Sequence, residues 1–223
     1  MLQLFFQPFF IAEMLAFICS LTVWKSKNYP ANLKILIPYL LFVLVVEFTA
    51  YYMKELHVKN NHPLYNISMP FSTLFYLHLL GIIIKDARLK KVVVMSMVGF
   101  LVFTLANIFL VQGIMTFNTY TFIAGGFLIA GFCLVYFVGL LNKSEQVNML
   151  KEPAFWIATG LFLYYLSKMI FYISWTYFFW QMQEHPELYK QFYSQFTLIN
   201  NILICTLYGF ISVNFLCILR KLK

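Results

Sequence analysis

Residues 162–175 read FLYYLSKMIFYISW: one ammonium, that of Lys168, in a stretch otherwise suited to hydrocarbon. No acid lies within fifteen residues of Lys168 on either side, Glu152 and Glu184 being the nearest. The stretch is one of a series. A bilayer core of about 30 Å takes about 20 apolar residues as helix. Seven runs have that length: 4–24, 35–53, 64–84, 92–113, 120–142, 154–180 and 195–219. The chain is 62% hydrophobic and 11% charged, too little charge to coat a soluble domain. Ten-residue alternating segments, the mark of a membrane barrel, do not appear. The sequence therefore predicts an all-α, polytopic membrane protein, a single seven-helix transmembrane domain over residues 1–223.

The runs are joined by short polar segments such as KSKNYPANLK and KDARLKK. The first run lacks a basic segment before it, so it does not read as a cleaved signal peptide. MLAFIC, ending at Cys19, lacks the small residue that a lipoprotein cleavage site needs before the cysteine, because Ile18 stands there. Cys19, Cys133, Cys205 and Cys217 all fall in apolar runs and read as packing residues rather than a disulfide framework. The Asn66 and Asn142 sequons lie at span ends, too close to the bilayer for glycosylation.

Lysine and arginine set the orientation. Lys25, Lys27, Lys34, Lys85, Arg88, Lys90, Lys91, Lys143, Lys151, Arg220, Lys221 and Lys223 fall on one side. Only Lys54, Lys59 and Lys190 fall on the other. The positive-inside rule then places the N-terminus outside and the C-terminus in the cytoplasm, as an odd number of spans requires. The expected setting is the cytoplasmic membrane. The formal charge of +8 sits at span ends, so no nucleic-acid partner is implied.

Charge within a bilayer is costly and usually functional. Glu13 lies one residue from the middle of span 1 and Lys168 one residue from the middle of span 6. Glu47 lies three residues past the middle of span 2, about 4.5 Å toward the outside at 1.5 Å per residue. The three share a slab about one helical turn thick. Two acids against one base leave a surplus carboxylate, which must hold a proton, meet a cation or see water. On span 6, Tyr165, Lys168, Tyr172 and Trp175 recur on one helical face. On span 7, Thr197, Asn201, Cys205, Tyr208 and Ser212 form a polar stripe, read as facing inward. Span 4 carries Ser96, Phe100, Thr104 and Asn107, and span 3 carries His78 below Ser72 and Thr73. Pro38 and Pro70 are expected to kink spans 2 and 3. Polar groups in a bundle often only join helices, at about 0.6 kcal/mol each, and that is the reading for Ser96, Thr104 and Cys205. The candidate ligand or ion site is Glu13, Glu47, Lys168, Tyr165, Tyr172, Trp175, Asn201, Tyr208, His78 and Asn107. Span 5, with Gly126 and Ala130 four apart, reads as packing.

Weak echoes relate spans 1–3 to spans 5–7: FIA at 10–12 and 122–124, LF at 41–42 and 161–162, HPLY at 62–65 and HPELY at 185–189. They point to a 3+1+3 parallel repeat with span 4 as linker. In span number, size and orientation the chain resembles the SWEET and PQ-loop transporter families, and also rhodopsin-like proteins. It has no Pro-Gln pair and no lysine in the last span, so the resemblance implies architecture and assigns no residue a role.

No HExxH, hydrolase triad or Gly-rich phosphate loop is present, so the reading is not an enzyme and assigns no cofactor or metal. His57, His62 and His185 with Glu55, Glu184 and Glu187 read as solvated loop polarity. The expected function is a small-molecule or proton-coupled transporter with a charged midplane pocket. The alternatives are a ligand receptor that signals through a separate cytoplasmic partner, and a structural subunit of a membrane complex.

Overall fold

The computed structural model describes residues 2–58, 60–142, 148–182 and 186–219, with side chains undescribed at 2, 3, 175, 178–182, 186, 188, 189, 191, 218 and 219. The described chain is helical, without strands. Seven helices follow one another: α1 Pro8–Thr22, α2 Leu36–Glu55, α3 His62–Ile83, α4 Ala87–Ala106, α5 Thr119–Leu141, α6 Pro153–Met182 and α7 Pro186–Leu219. Six are long and apolar enough to cross a bilayer. α1 is the exception, with 15 residues. At 1.5 Å per residue it reaches about 22 Å. The expected span 4–24 is thus shorter, because Pro8 cannot continue the preceding turn Leu2–Phe5 and instead opens a new helix at its first position. The protein is a polytopic helical membrane bundle.

Local chemistry places the other ends. The Asp86 carboxylate caps α4 by accepting from the backbone N–H of Arg88 at 2.7 Å and Leu89 at 3.0 Å. α2 ends where His57 turns left-handed at φ 56°. Pro38 lies in the first turn of α2, where it breaks no intrahelical bond, and Pro70 lies buried inside α3. α4 runs on into a π turn, Asn107–Val111.

The helices close a ring in the order α1, α2, α3, α5, α6, α7 and back to α1, with α4 outside it against α3 and α5. Small residues set the tight seams. A Cβ at Gly125 would lie 2.8 Å from Thr73 Cγ2 of α3 and 3.2 Å from Phe100 of α4. A Cβ at Gly160 of α6 would lie 2.8 Å from Phe210 Cβ of α7. Gly126 faces Met169 and Ala130 is buried, so the small residues of α5 do bring helices close. The α2–α3 seam is looser. Rings bridge it, Tyr39 on Phe75 at 3.9 Å and Phe42 on Phe71 at 4.6 Å between centroids, and such bulk holds the two backbones apart.

Following the lysine asymmetry, the face carrying the N-terminus is termed outer. The inner half is filled with buried side chains, among them Leu36, Leu40, Leu77, Leu80, Ile157, Leu161 and Ile211. The α1–α2 connection seals it further. Tyr29 is 2% exposed, packs on Phe215 at 5.6 Å, and shares hydrogen bonds with the Asn214 amide at 3.1 and 3.4 Å. Burial pushes the Tyr29 phenol above its ordinary range, against the pull of the Asn214 bond.

Candidate functional site

A cavity of about 300 Å³ lies inside the ring and is lined from α1, α2, α3, α5, α6, α7 and the 112–118 loop; α4 contributes nothing to it. Its volume is at the small end for ligand sites. Aromatic residues from six helices and Phe117 of the loop make up half of its wall. Glu13, Glu47 and Lys168 all face it.

Each charge has a different surrounding. Lys168 is 9% exposed and donates from Nζ to the Tyr164 hydroxyl at 2.7 Å, a short charge-assisted bond. The same Nζ lies 4.8 Å from the Tyr164 ring centroid and 5.6 Å from that of Phe122, within cation–π range. Glu47 Oε2 accepts from the Tyr65 hydroxyl at 3.2 Å. Glu13 is 3% exposed, and its Oε2 is enclosed with no hydrogen-bond partner. No hydrogen bond or ion pair joins any two of the three groups. The lysine is satisfied by phenol and ring faces, and one carboxylate is left open. The buried Tyr76 hydroxyl on the same wall is also without a partner in hydrogen-bond geometry.

The outer rim is built by asparagines. Asn66, fully buried, donates to Ile114 O at 2.7 Å and Thr116 O at 2.6 Å, and its Oδ1 accepts from the Asn118 backbone N–H at 2.9 Å. Asn60 donates to Met115 O at 2.6 Å. These bonds fasten the 112–118 loop to the start of α3 and carry Phe117 across the cavity, stacked on Tyr172 at 5.3 Å and 16°. An amide spent in this way is no glycan acceptor, so burial excludes the Asn66 sequon.

Of the ten candidate residues, six line the cavity: Glu13, Glu47, Lys168, Tyr165, Tyr172 and Tyr208. Three do not. His78 is exposed on the outward face of α3, because two residues past Tyr76 is about 200° around a helix. Asn107 is buried elsewhere, its amide donating to Gln112 at 2.9 Å, to Thr121 at 3.1 Å and to Asn118. Asn201 stands one residue from the lining face, which Phe196, Asn200, Ile204, Leu207 and Tyr208 form. The expected inward stripe on span 7 is thereby corrected. Thr197 is exposed and returns its hydroxyl to Tyr193 O at 3.0 Å, so it needs no partner across helices. Trp175 belongs to α6, but its side chain lies outside the described residues, as do Glu184 and His185. Among the described residues no cluster of His, Cys, Asp or Glu is grouped to hold a metal.

Sequence reasoning missed Tyr164, Tyr65, Asn200 and the ring of Phe122. Tyr164 was legible, since it stands four residues before Lys168 on one helix face. Tyr65 and Phe117 were not, because their roles depend on which helices become neighbours. Phe122 also corrects the reading of α5 as packing alone. Comparison with known proteins gives no match, whether to family models, curated proteins or solved structures.

Proposed function

We propose that this membrane protein is a carrier for a small molecule with an apolar body, bound in the central cavity among Glu13, Glu47 and Lys168. The observation that carries the reading is the enclosure of three ionisable groups and an aromatic wall within one cavity, with one carboxylate unpartnered. Structural ion pairing alone would bring the charges into contact. The cavity also extends to the level of the outer loop, while its inner side is packed. Such a one-sided arrangement suits a carrier resting in an outward state. The place of α4, outside the ring against α3 and α5, is compatible with a linker role between two triplets. Within the cycle, the glutamates orient the ligand's polar end, and the rings of Tyr172, Phe122 and Phe117 bound its apolar part.

A receptor is the second reading, and the Tyr29–Asn214 seal favours it: a ligand entering from outside meets a solid inner half. Signal would then leave through the basic cytoplasmic loops to a separate protein. Proteoliposomes on a solid-supported electrode distinguish the two. A library of small amphipathic solutes is screened for ligand-induced charge movement. Sustained, gradient-driven current is expected for the carrier, whereas only brief binding transients would favour the receptor. Transport that survives the combined removal of all three charges, Glu13→Gln, Glu47→Gln and Lys168→Met, would sink the site assignment.

A further inference from the structure

We infer that the cavity selects an organic cation, a protonated amine attached to an apolar or aromatic body, and that Glu13 is its counter-ion. The inference rests on the cavity being a binding site and names the ligand class. Lys168 and Glu47 each already have a phenolic partner, Tyr164 and Tyr65. One base stands against two carboxylates in the cavity, so one negative charge remains, and among the described residues Glu13 has no hydrogen-bond donor. The missing component is therefore one positive charge with an N–H or equivalent donor. A neutral ligand or a zwitterion leaves the surplus in place, and an anion doubles it.

The wall chooses between kinds of cation. A small inorganic ion needs several oxygen ligands. This cavity has oxygens to offer, but half of its lining is aromatic, and ring faces attract substituted ammonium groups and cover their apolar parts, which a bare ion does not use. Lys168 does not bar such a guest, because its Nζ is drawn toward Tyr164 and Phe122 on the α5–α6 side, whereas Glu13 belongs to α1. A cation on Glu13 excludes a proton from the same oxygens, so the two compete. The titratable groups that share the cavity wall with Glu13 are Glu47 and Tyr39 of α2, Tyr65 and Tyr76 of α3, Tyr164, Tyr165, Lys168 and Tyr172 of α6, and Tyr208 of α7. Of these, only Glu47 and Lys168 carry charge near neutral pH, and each already has a phenolic partner.

The test uses the full chain in detergent and three probes with the same phenyl body: 2-phenylethylammonium, phenylalanine and 3-phenylpropionate. Calorimetry should show the cation binding tightest, with binding weakened as the solution is acidified. Glu13→Gln should weaken the cation by at least about thirtyfold and remove the acid dependence, since truncating one side of a buried charge pair acts at that level. Glu47→Gln, which keeps Glu13, should do far less. Each variant must match the parent in size-exclusion profile, so that loss of binding is not loss of fold. The proposal is overturned if 3-phenylpropionate binds tightest, if none of the three probes binds, or if Glu13→Gln leaves the cation's affinity unchanged. Tight cation binding without transport would support the ligand class while counting against the carrier.

Discussion

Replacing Asn66 by alanine should release the outer loop. Asn66 is fully buried and makes three bonds to the loop, to the carbonyls of Ile114 and Thr116 and from the N–H of Asn118. Net, each such bond contributes about 1 kcal/mol, and the substitution also strands backbone groups in a buried site. The sum is about 3 kcal/mol against the attached state. At 1.4 kcal/mol per factor of ten, that corresponds to about a hundredfold rise in the detached population. Asn60 still holds Met115 O, so part of the effect is retained in the variant and a rise of at least about tenfold is the firm expectation. Amide hydrogen exchange on a peptide spanning 112–120, compared between parent and variant in nanodiscs, reads this population directly. Exchange within about threefold of the parent would refute the pinning role of Asn66.

Other substitutions probe the seams and the charged site. Gly160→Ala should push α6 from α7, because its new Cβ meets Phe210 Cβ at 2.8 Å and Leu207 O at 3.3 Å; a loss of about 1–3 kcal/mol should appear in thermal unfolding followed by size exclusion. Gly131→Ala, with nothing within 4 Å, should be neutral or stabilising by up to about 1 kcal/mol in the same assay. Tyr164→Phe should cost about 1.5–3 kcal/mol by removing the acceptor of Lys168 Nζ, and in a Lys168→Met background that penalty should vanish in a double-mutant cycle. Tyr29, whose phenol burial shifts upward, should contribute constant stability below about pH 10 and lose it only as pH rises through its shifted value; a Tyr29→Phe control should flatten that alkaline decline in pH-dependent melting curves.

The number of helices was legible because hydrophobic length is a property of single segments. The surplus of acid over base at one depth was legible for the same reason, and Glu13, Glu47 and Lys168 do face one cavity. Facing directions on α3 and α7 were less so. Hydroxyls of Thr197, Thr206 and Ser212 bond back to carbonyls four residues earlier, which lets them sit on any face, so polarity alone misplaced the inner stripe of α7. The helix ends were hidden by continuous apolarity. Pro8 interrupts the first run without making it polar, and α7 extends to Pro186 through residues that hydropathy assigns to a loop. What no segment reveals is ring order. The partnership of Tyr65 with Glu47, the loop held by Asn66 and the contact of Tyr29 with Asn214 all join residues distant in sequence.

The proposed carrier state requires that the charged cavity be reached from the outer face and that the packed half holding Tyr29 and Asn214 close it toward the cytoplasm. Its most direct test places Ser72→Cys, a conservative change on the cavity wall, in a chain whose four cysteines are replaced by alanine. An impermeant maleimide is applied to right-side-out and to inside-out membrane vesicles without ligand. Labelling should be fast from the outer side and slow from the cytoplasmic side, and Tyr29→Ala should raise the cytoplasmic rate. Faster labelling from the cytoplasmic side in the parent would contradict both the orientation and the seal.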